Sequence, residues 1–312
     1  MTKPIVTVVG SFAVGMTIRT SRMPIFGETL IGSDFDMGPG GKGSNQAVGA
    51  ARMGAESNFV AIIGQDKLGE IATEMYAREG VDITYLERNP SMATGVGFII
   101  LNQAGENGII LDMSANKLMD AAFVDRAEAQ IARSQIVMAV LEIPVPAAGR
   151  AMELGRRHGV RTLLNPAPAT ALDDAILANC DIVTPNETEL RILMGLSPDD
   201  PTPTVDLARR LHGRGPQTVI VTVGEQGALV LAAGAEPVAV PGLPVRVVDT
   251  TGAGDAFCAG LAVALSEGKD LFTAVRFANC AGALACTALG VIPATAHRAD
   301  VQALYQASYG TY

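Results

Sequence analysis

Short continuous runs of apolar residues, each followed by a stretch of helical spacing, recur through most of the 312 residues and leave few architectures open to the chain. The first run, Ile5-Val6-Thr7-Val8-Val9 closed by Gly10, is β-branched and does not alternate with polar residues, so it reads as a strand buried on both faces. Phe59 to Ile63 precedes a helical pattern from Asp66 to Glu79, and Ile136 to Leu141 precedes one from Val145 to His158. Thr162 to Leu164 and Val219 to Val223 add strands, and helical stretches 253–267 and 270–288 finish the series. Alternation of this kind predicts an α/β fold with three layers, a mostly parallel central sheet between helices on both faces. With 48% hydrophobic residues, the chain can bury such a core as a single domain spanning 1–312.

Two stretches break the alternation. Met16 to Met37 contains Pro24 and Gly27, and Thr94 to Met113 carries a turn at Gly105-Glu106-Asn107-Gly108. Both read as strands without intervening helices, which predicts a small antiparallel β-sheet lid built from about 14–38 and 94–113 and inserted in the core. Closing such a sheet over a cleft would exclude water from a reaction beneath it.

The net charge of −9, with scattered basic residues, argues against nucleic acid as a partner. The four cysteines (Cys180, Cys258, Cys280 and Cys286) lack C-x-x-C spacing and read as buried free thiols, which suits a cytoplasmic location. Met1 to Gly10 is too short an apolar run for a signal peptide, and the uncharged stretch from Cys280 to Ile292 is too short to span a bilayer, so no membrane association is expected.

The chemistry concentrates at Asp249-Thr250-Thr251-Gly252-Ala253-Gly254-Asp255-Ala256-Phe257. Val245 and Val247-Val248 before it read as the end of a strand, while Phe257, Leu261, Ala264 and Leu265 after it keep the spacing of an apolar helix face. The glycines therefore open a helix, whose free N–H groups and positive dipole end can hold a phosphate or a developing oxyanion. Asp255, set among those amides, is suited to accept a proton from a sugar hydroxyl; ordinary dipole complementation is the plainer reading of an Asp in a first helical turn. A dinucleotide fingerprint fails at Phe257, where Gly or Ala is required.

A second glycine turn, Gly38-Pro39-Gly40-Gly41-Lys42-Gly43-Ser44-Asn45-Gln46-Ala47, also enters a helix, which continues to about Met53. It is not a P-loop, since Asp36 and Gly43 stand where Gly and Ser or Thr are needed. Its alternative job is to wrap backbone, Lys42 and Asn45 around a hydroxylated ligand. Glu142, after the strand ending at Leu141, places an acid at the carboxyl edge of the sheet, where open α/β sheets bind ligands. Asn186-Glu187-Thr188-Glu189 has capping-box spacing and could equally serve a metal and phosphate site. His158, His212 and His297 have no triad partners in the sequence and read as surface or packing residues.

Gly40 to Ala47, Asn186 to Glu189 and Asp249 to Phe257 together resemble, in order and spacing, the ribokinase (PfkB) family of carbohydrate kinases, over about Ile5 to Arg298. The resemblance implies transfer of the ATP γ-phosphate to a hydroxyl of a small sugar such as a ribose-like pentose, a deoxysugar or a ketose, and a lid that clasps a homodimer. Asp255 would be the base, and the amides of Gly252, Ala253, Gly254 and Asp255 the anion hole. Gly41, Lys42, Asn45 and Glu142 match sugar-binding positions. Asn186 and Glu189 would organise Mg2+ through water, and Thr222, Gly224, Gly227 and Asn279 line the ATP site. Asp249 and Thr251, with carbonyls near Ala285, Ala288 and Gly290, match a potassium loop, although Ala294 stands where the family has a hydroxyl.

A larger departure lies after the first strand, where Ala13 and Gly15 replace the family's Asn and sugar-binding Asp. Losing two charge-assisted hydrogen bonds at about 1.5–3 kcal/mol each should disfavour ribose. Arg19, further along the same strand, could meet a branched or acidic acceptor, or simply be solvated. A nucleoside kinase is the alternative within the fold, and would need Phe12, Phe26, Phe35 or Phe98 to stack a base. A non-catalytic sugar- or nucleotide-binding regulator is a third reading, against which the retained Asp255 argues.

Overall fold

The computed structural model describes residues 3–102 and 107–312. From the amino end run β1 (Ile5–Val9), β2 (Ala13–Arg19), β3 (Ser33–Gly40), α1 (Lys42–Arg52), β4 (Glu56–Gly64), α2 (Lys67–Glu79) and β5 (Asp82–Asn89). Next come β6 (Gly95–Leu101), β7 (Asn107–Asp112), α3 (Ala121–Asp125), α4 (Glu128–Arg133), β8 (Ile136–Val140), α5 (Val145–Arg157), β9 (Arg161–Asn165) and α6 (Asp174–Leu177). The last part holds β10 (Ile182–Val183), α7 (Glu187–Leu193), α8 (Thr204–His212), β11 (Thr218–Thr222), β12 (Gly227–Ala232) and β13 (Val238–Pro241). It ends with α9 (Ala253–Ser266), α10 (Leu271–Ala285), α11 (Val291–Ala294) and α12 (Arg298–Tyr309).

Nine strands form the central sheet in the order β13-β12-β11-β10-β9-β8-β1-β4-β5. From β11 to β5 every neighbour is parallel, and only β12 and β13 run antiparallel at one edge. Parallel strands covered on both faces must be apolar throughout, which is why all five residues of β8 are buried and the predicted strands were visible as continuous runs. The helices supply the cover through faces of small residues. Eleven consecutive residues of α9, Asp255 to Leu265, are buried, and the helix lies against α1 and α10.

The lid is a separate sheet in the order β3-β2-β6-β7. It is mixed and not purely antiparallel: β2 pairs with β3 antiparallel but with β6 parallel. The reason is connectivity, because β6 follows the crossover β4-α2-β5 and leaves the core in the same direction as β2. The predicted turn at Gly105-Glu106-Asn107-Gly108 lies in part outside the described residues. Residues 242–248 form no strand, contrary to the expectation from Val245 and Val247-Val248. Pro241, Gly242 and Pro244 interrupt any ladder there, Val247 and Val248 are 60% and 54% exposed, and the Val248 N–H is taken by the Cys286 carbonyl at 2.8 Å. Among the described residues no helix is long and apolar enough to cross a membrane.

Candidate active site

Of the predicted site residues, Lys42, Asn45, Glu142 and Asp255 gather beyond β1 and β8 at the starts of α1 and α9, while Asn186 and Thr222 pair at the ends of β10 and β11 and Asn279 lies on α10 against β13. Gly252 caps α9 at φ +81°, a left-handed conformation, and a Cβ there would stand 2.4 Å from Val291 Cγ1. The Ala253 N–H turns back to the Thr250 carbonyl at 3.2 Å and so is already partnered. The N–H groups of Gly254 and Asp255 meet no acceptor among the described residues, and a Cβ on Gly254 would have nothing within 4 Å. The turn thus opens two amides of a 14-residue helix onto free space.

Asp255 is only 4% exposed. Its Oδ2 accepts from Asn45 Nδ2 at 2.8 Å and its Oδ1 from Gln46 Nε2 at 3.1 Å, so two successive side chains of α1 hold one carboxylate of α9. Asn45 Oδ1 is buried with no donor in reach among the described residues. The Lys42 ammonium makes no hydrogen bond or ion pair among the described residues, yet it sits in the field of three acids. Asp255 above all, then Glu142 and Glu189, holds it above the ordinary lysine range against the opposing effect of burial. Burial pushes the Glu142 carboxyl up, although Ser11 Oγ donates to its Oε2 at 2.5 Å and the Lys42 backbone N–H at 2.8 Å. Gly41 lets the start of α1 pack against the segment after β1: it caps α1 at φ +90°, and a Cβ would meet Ala13 N and Phe12 Cα at 2.8 Å.

Asn186 and Glu189 form a complete capping box at the start of α7. Asn186 Oδ1 accepts from the Glu189 N–H and Glu189 Oε2 from the Asn186 N–H, each at 2.8 Å. Burial raises the Glu189 carboxyl, and the Asp255 charge adds to the effect. Thr222 bridges to Asn186 at the end of β11. Gly224 is open, with nothing within 4 Å of a Cβ, whereas Gly227 is closed, its Cβ position 2.3 Å from Gly242 N and Val240 O. Asn279 Nδ2 is committed to the carbonyls of Val240 and Pro241 at 3.3 and 3.1 Å. In the potassium-like loop Asp249 Oδ1 accepts from the Thr251 N–H and hydroxyl at 2.9 and 2.7 Å, and Gly290 N approaches Asp249 Oδ2 at 3.4 Å. Arg19 is engaged on the lid, donating to the Asn102 carbonyl at 3.0 Å and pairing with Asp34 at 3.3 Å.

Residues 4–298 match the family model described as pfkB family carbohydrate kinase. This chain belongs to that family. It is a carbohydrate kinase, a phosphotransferase with an alcohol acceptor. Over 91% of the chain and 92% of its relative, it is 38% identical to a ribokinase of Haemophilus influenzae. It is 36% identical to a deoxyribokinase of Salmonella typhi over 91% and 93%. The structure of Arabidopsis thaliana ribokinase complexed with ribose and ATP superposes with a TM-score of 0.91 at 31% identity, covering 98% of this chain and 99% of that one.

The kinase fold also brings in residues that sequence reasoning passed over. Ser11 holds Glu142 from the end of β1. Asn165, the last residue of β9, accepts from Gln46 Nε2 at 3.0 Å and donates to the Thr184 carbonyl at 3.0 Å. The available signal was position: Ser11, Asn165 and Thr184 are polar residues just at or beyond the carboxyl ends of apolar strands. The nucleoside-kinase alternative loses Phe12, which is fully buried and packs edge-on against Tyr76 at 6.1 Å between ring centroids.

Proposed function

We propose that this chain is an ATP-dependent sugar kinase that passes the γ-phosphate of ATP to a hydroxyl of a small sugar, with Asp255 as the base. The observation that carries the reading is the start of α9, where a buried carboxylate held at both oxygens stands beside two helix amides without acceptors. A sugar hydroxyl lying against Asp255 can lose its proton as it attacks. The amides of Gly254 and Asp255, with the Lys42 ammonium, would hold the charge on the transferring group. Gly41, Lys42, Asn45 and Glu142 would bind the sugar; the unpartnered Asn45 Oδ1 is an acceptor ready for a hydroxyl. Asn186, Thr222 and Gly224 would line the nucleotide phosphates, while Gly227 and Asn279 act at one remove by shaping the end of β13.

The donors fit a hydrated Mg2+ only partly. Glu189 Oε2 and Asn186 Oδ1 serve the cap, Glu189 Oε1 remains, and no group of three acidic, His or Cys side chains converges among the described residues. Mg2+ would therefore rest mainly on phosphate oxygens and water, with Glu189 receiving a water, and would neutralise phosphate charge. Asp249 Oδ2, with the carbonyls of Thr251, Ala285, Ala288 and Gly290, would offer oxygen ligands to K+, and the Ala294 side chain would add none. Potassium in place of a large organic cation should therefore raise activity modestly, and equal rates would rule the site out. The lid presents Met37, Phe98 and Ile110, 45%, 49% and 60% exposed, on one face, which supports a homodimer through the lid that light scattering would detect.

The acceptor is tested by coupled ADP release with ribose, deoxyribose, branched pentoses, ketoses and sugar acids. Gly15 leaves room beside the lid: a Cβ there would sit 3.5 Å from Ile99 Cδ1, so Gly15→Asp is tolerated. That variant should gain activity on ribose. Wild-type preference for ribose over every other sugar would show that some other group binds its hydroxyls, and no sugar-dependent ADP release at all would overturn the reading.

A further inference from the structure

We propose that Gln46 is a positioning residue for the Asp255 base, its polarity set by the Thr184 backbone carbonyl through Asn165; this rests on the reading of Asp255 as the base. The Thr184 carbonyl can only accept, so Asn165 must turn its Nδ2 toward it, at 3.0 Å. Asn165 Oδ1 then faces Gln46 and requires a donor, which Gln46 Nε2 provides at 3.0 Å. The second hydrogen of that same amide is left pointing at Asp255 Oδ1, 3.1 Å away. A fixed carbonyl at the end of the sheet thereby decides, through two side-chain amides, that the carboxylate meets a donor and not an oxygen.

The chain of bonds closes on itself. Thr184 Oγ1 lies 3.2 Å from Cys258 Sγ, and Cys258 follows Asp255 on α9, so α9, α1, β9 and the end of β10 are tied in one loop around the base. Asn45 holds the other oxygen at 2.8 Å, and two donors on different oxygens fix rotation of the carboxylate plane. Gln46 is 0% exposed, so it does not face the open space where a substrate would lie, which separates it from the groups proposed to touch substrate. Its Oε1 is buried without a donor among the described residues. Met, of similar size, would remove that orphaned acceptor but would also take the donor away from Asn165 Oδ1 and Asp255 Oδ1. The charged and titratable groups facing Asp255 are Lys42 from α1, Glu142 beyond β8, Glu189 from α7 and Cys258 from α9 itself.

The test uses the full chain with ATP and whichever sugar of the panel wild type turns over fastest, after each variant's melting temperature has been checked. Gln46→Met should lower kcat about ten- to hundredfold, the usual effect of a reacting group misplaced by an ångström or less, with KM for ATP and sugar within about threefold of wild type. Gln46→Glu sets a second carboxyl beside Asp255, so its acid limb in the pH–rate profile should move up by about one unit or more and its deficit should shrink as pH rises. Should either variant not fold, Asn165→Asp, which breaks the chain one step earlier, is read by the same kcat and KM criteria. Folded variants with kcat within twofold and an unmoved acid limb, or with the loss confined to KM, would overturn the proposal. Asp255→Asn in the same assay keeps the two claims apart, since wild-type turnover there would refute the base itself whatever Gln46 does.

Discussion

Two glycine turns open two helices at the same end of the sheet, and glycine does opposite work in them. At α1 the missing Cβ atoms are filled by backbone: a methyl on Gly43 would stand 2.5 Å from Ser11 N and 2.6 Å from Gly10 Cα. At α9 Gly254 faces open space. The first turn is thus packed shut and delivers side chains, with Lys42, Asn45 and Gln46 projecting from a helix pinned to β1. The second is left open and delivers backbone amides. On the proposed reading, glycine-rich turns that look alike in sequence would divide the labour of holding an acceptor and holding an anion.

The comparison breaks most visibly in stability. Gly43→Ala should cost about 3 kcal/mol or more, because backbone on both sides must move, and should abolish sugar binding with the displaced turn. Gly254→Ala should melt at or slightly above the wild-type temperature, since Ala is favoured over Gly in a helix by about 1 kcal/mol. Its methyl would still occupy the anion space and slow turnover about tenfold or more. Equal melting of the two variants would erase the distinction.

A smaller effect is expected at Glu189→Gln. The amide oxygen can keep the bond to the Asn186 N–H, so the fold should hold while the Mg2+ concentration for half-maximal activity rises several-fold. An unchanged titration would leave the cap as this residue's whole role. The smallest effect should come from Glu142→Gln. Burial raises the Glu142 carboxyl in the folded state, so its favourable contribution is present below the unfolded carboxyl range, near pH 4, and is lost as pH rises through the folded value. At neutral pH the glutamine variant should therefore melt about 1–3 °C higher, with the gain vanishing on acidification and sugar affinity falling. A lower melting temperature at pH 7 would mean that the bonds from Ser11 and the Lys42 amide outweigh burial.

The parallel core was legible because strands covered on both faces have to be apolar, and β1, β4, β8, β9 and β11 fall on the predicted runs. Edge strands obey no such rule. β5 at one edge alternates exposed and partly buried residues, and β13 at the other is short and mostly exposed; β12, just inside β13, is a short antiparallel strand opening on Gly227, so none of the three stood out. Val247-Val248 is β-branched yet forms no strand, because Pro241 and Pro244 ahead of it break the ladder. At the site, motif residues were visible from local glycine spacing, but the bonds that orient them were not. Gln46 meets Asn165 and Asp255 across 119 and 209 residues of sequence, and nothing local in a buried Gln announces such partners.

On the proposed reading, Asp255 removes the acceptor proton while its neighbouring amides bind the phosphate, and one measurement separates these functions. Asp255→Asn keeps the amides and replaces the carboxylate with a group that cannot take the proton. With ATP and the preferred sugar, kcat should fall about 10²- to 10⁴-fold, while nucleotide affinity by calorimetry stays within a few-fold of wild type. Turnover near the wild-type rate would contradict the account.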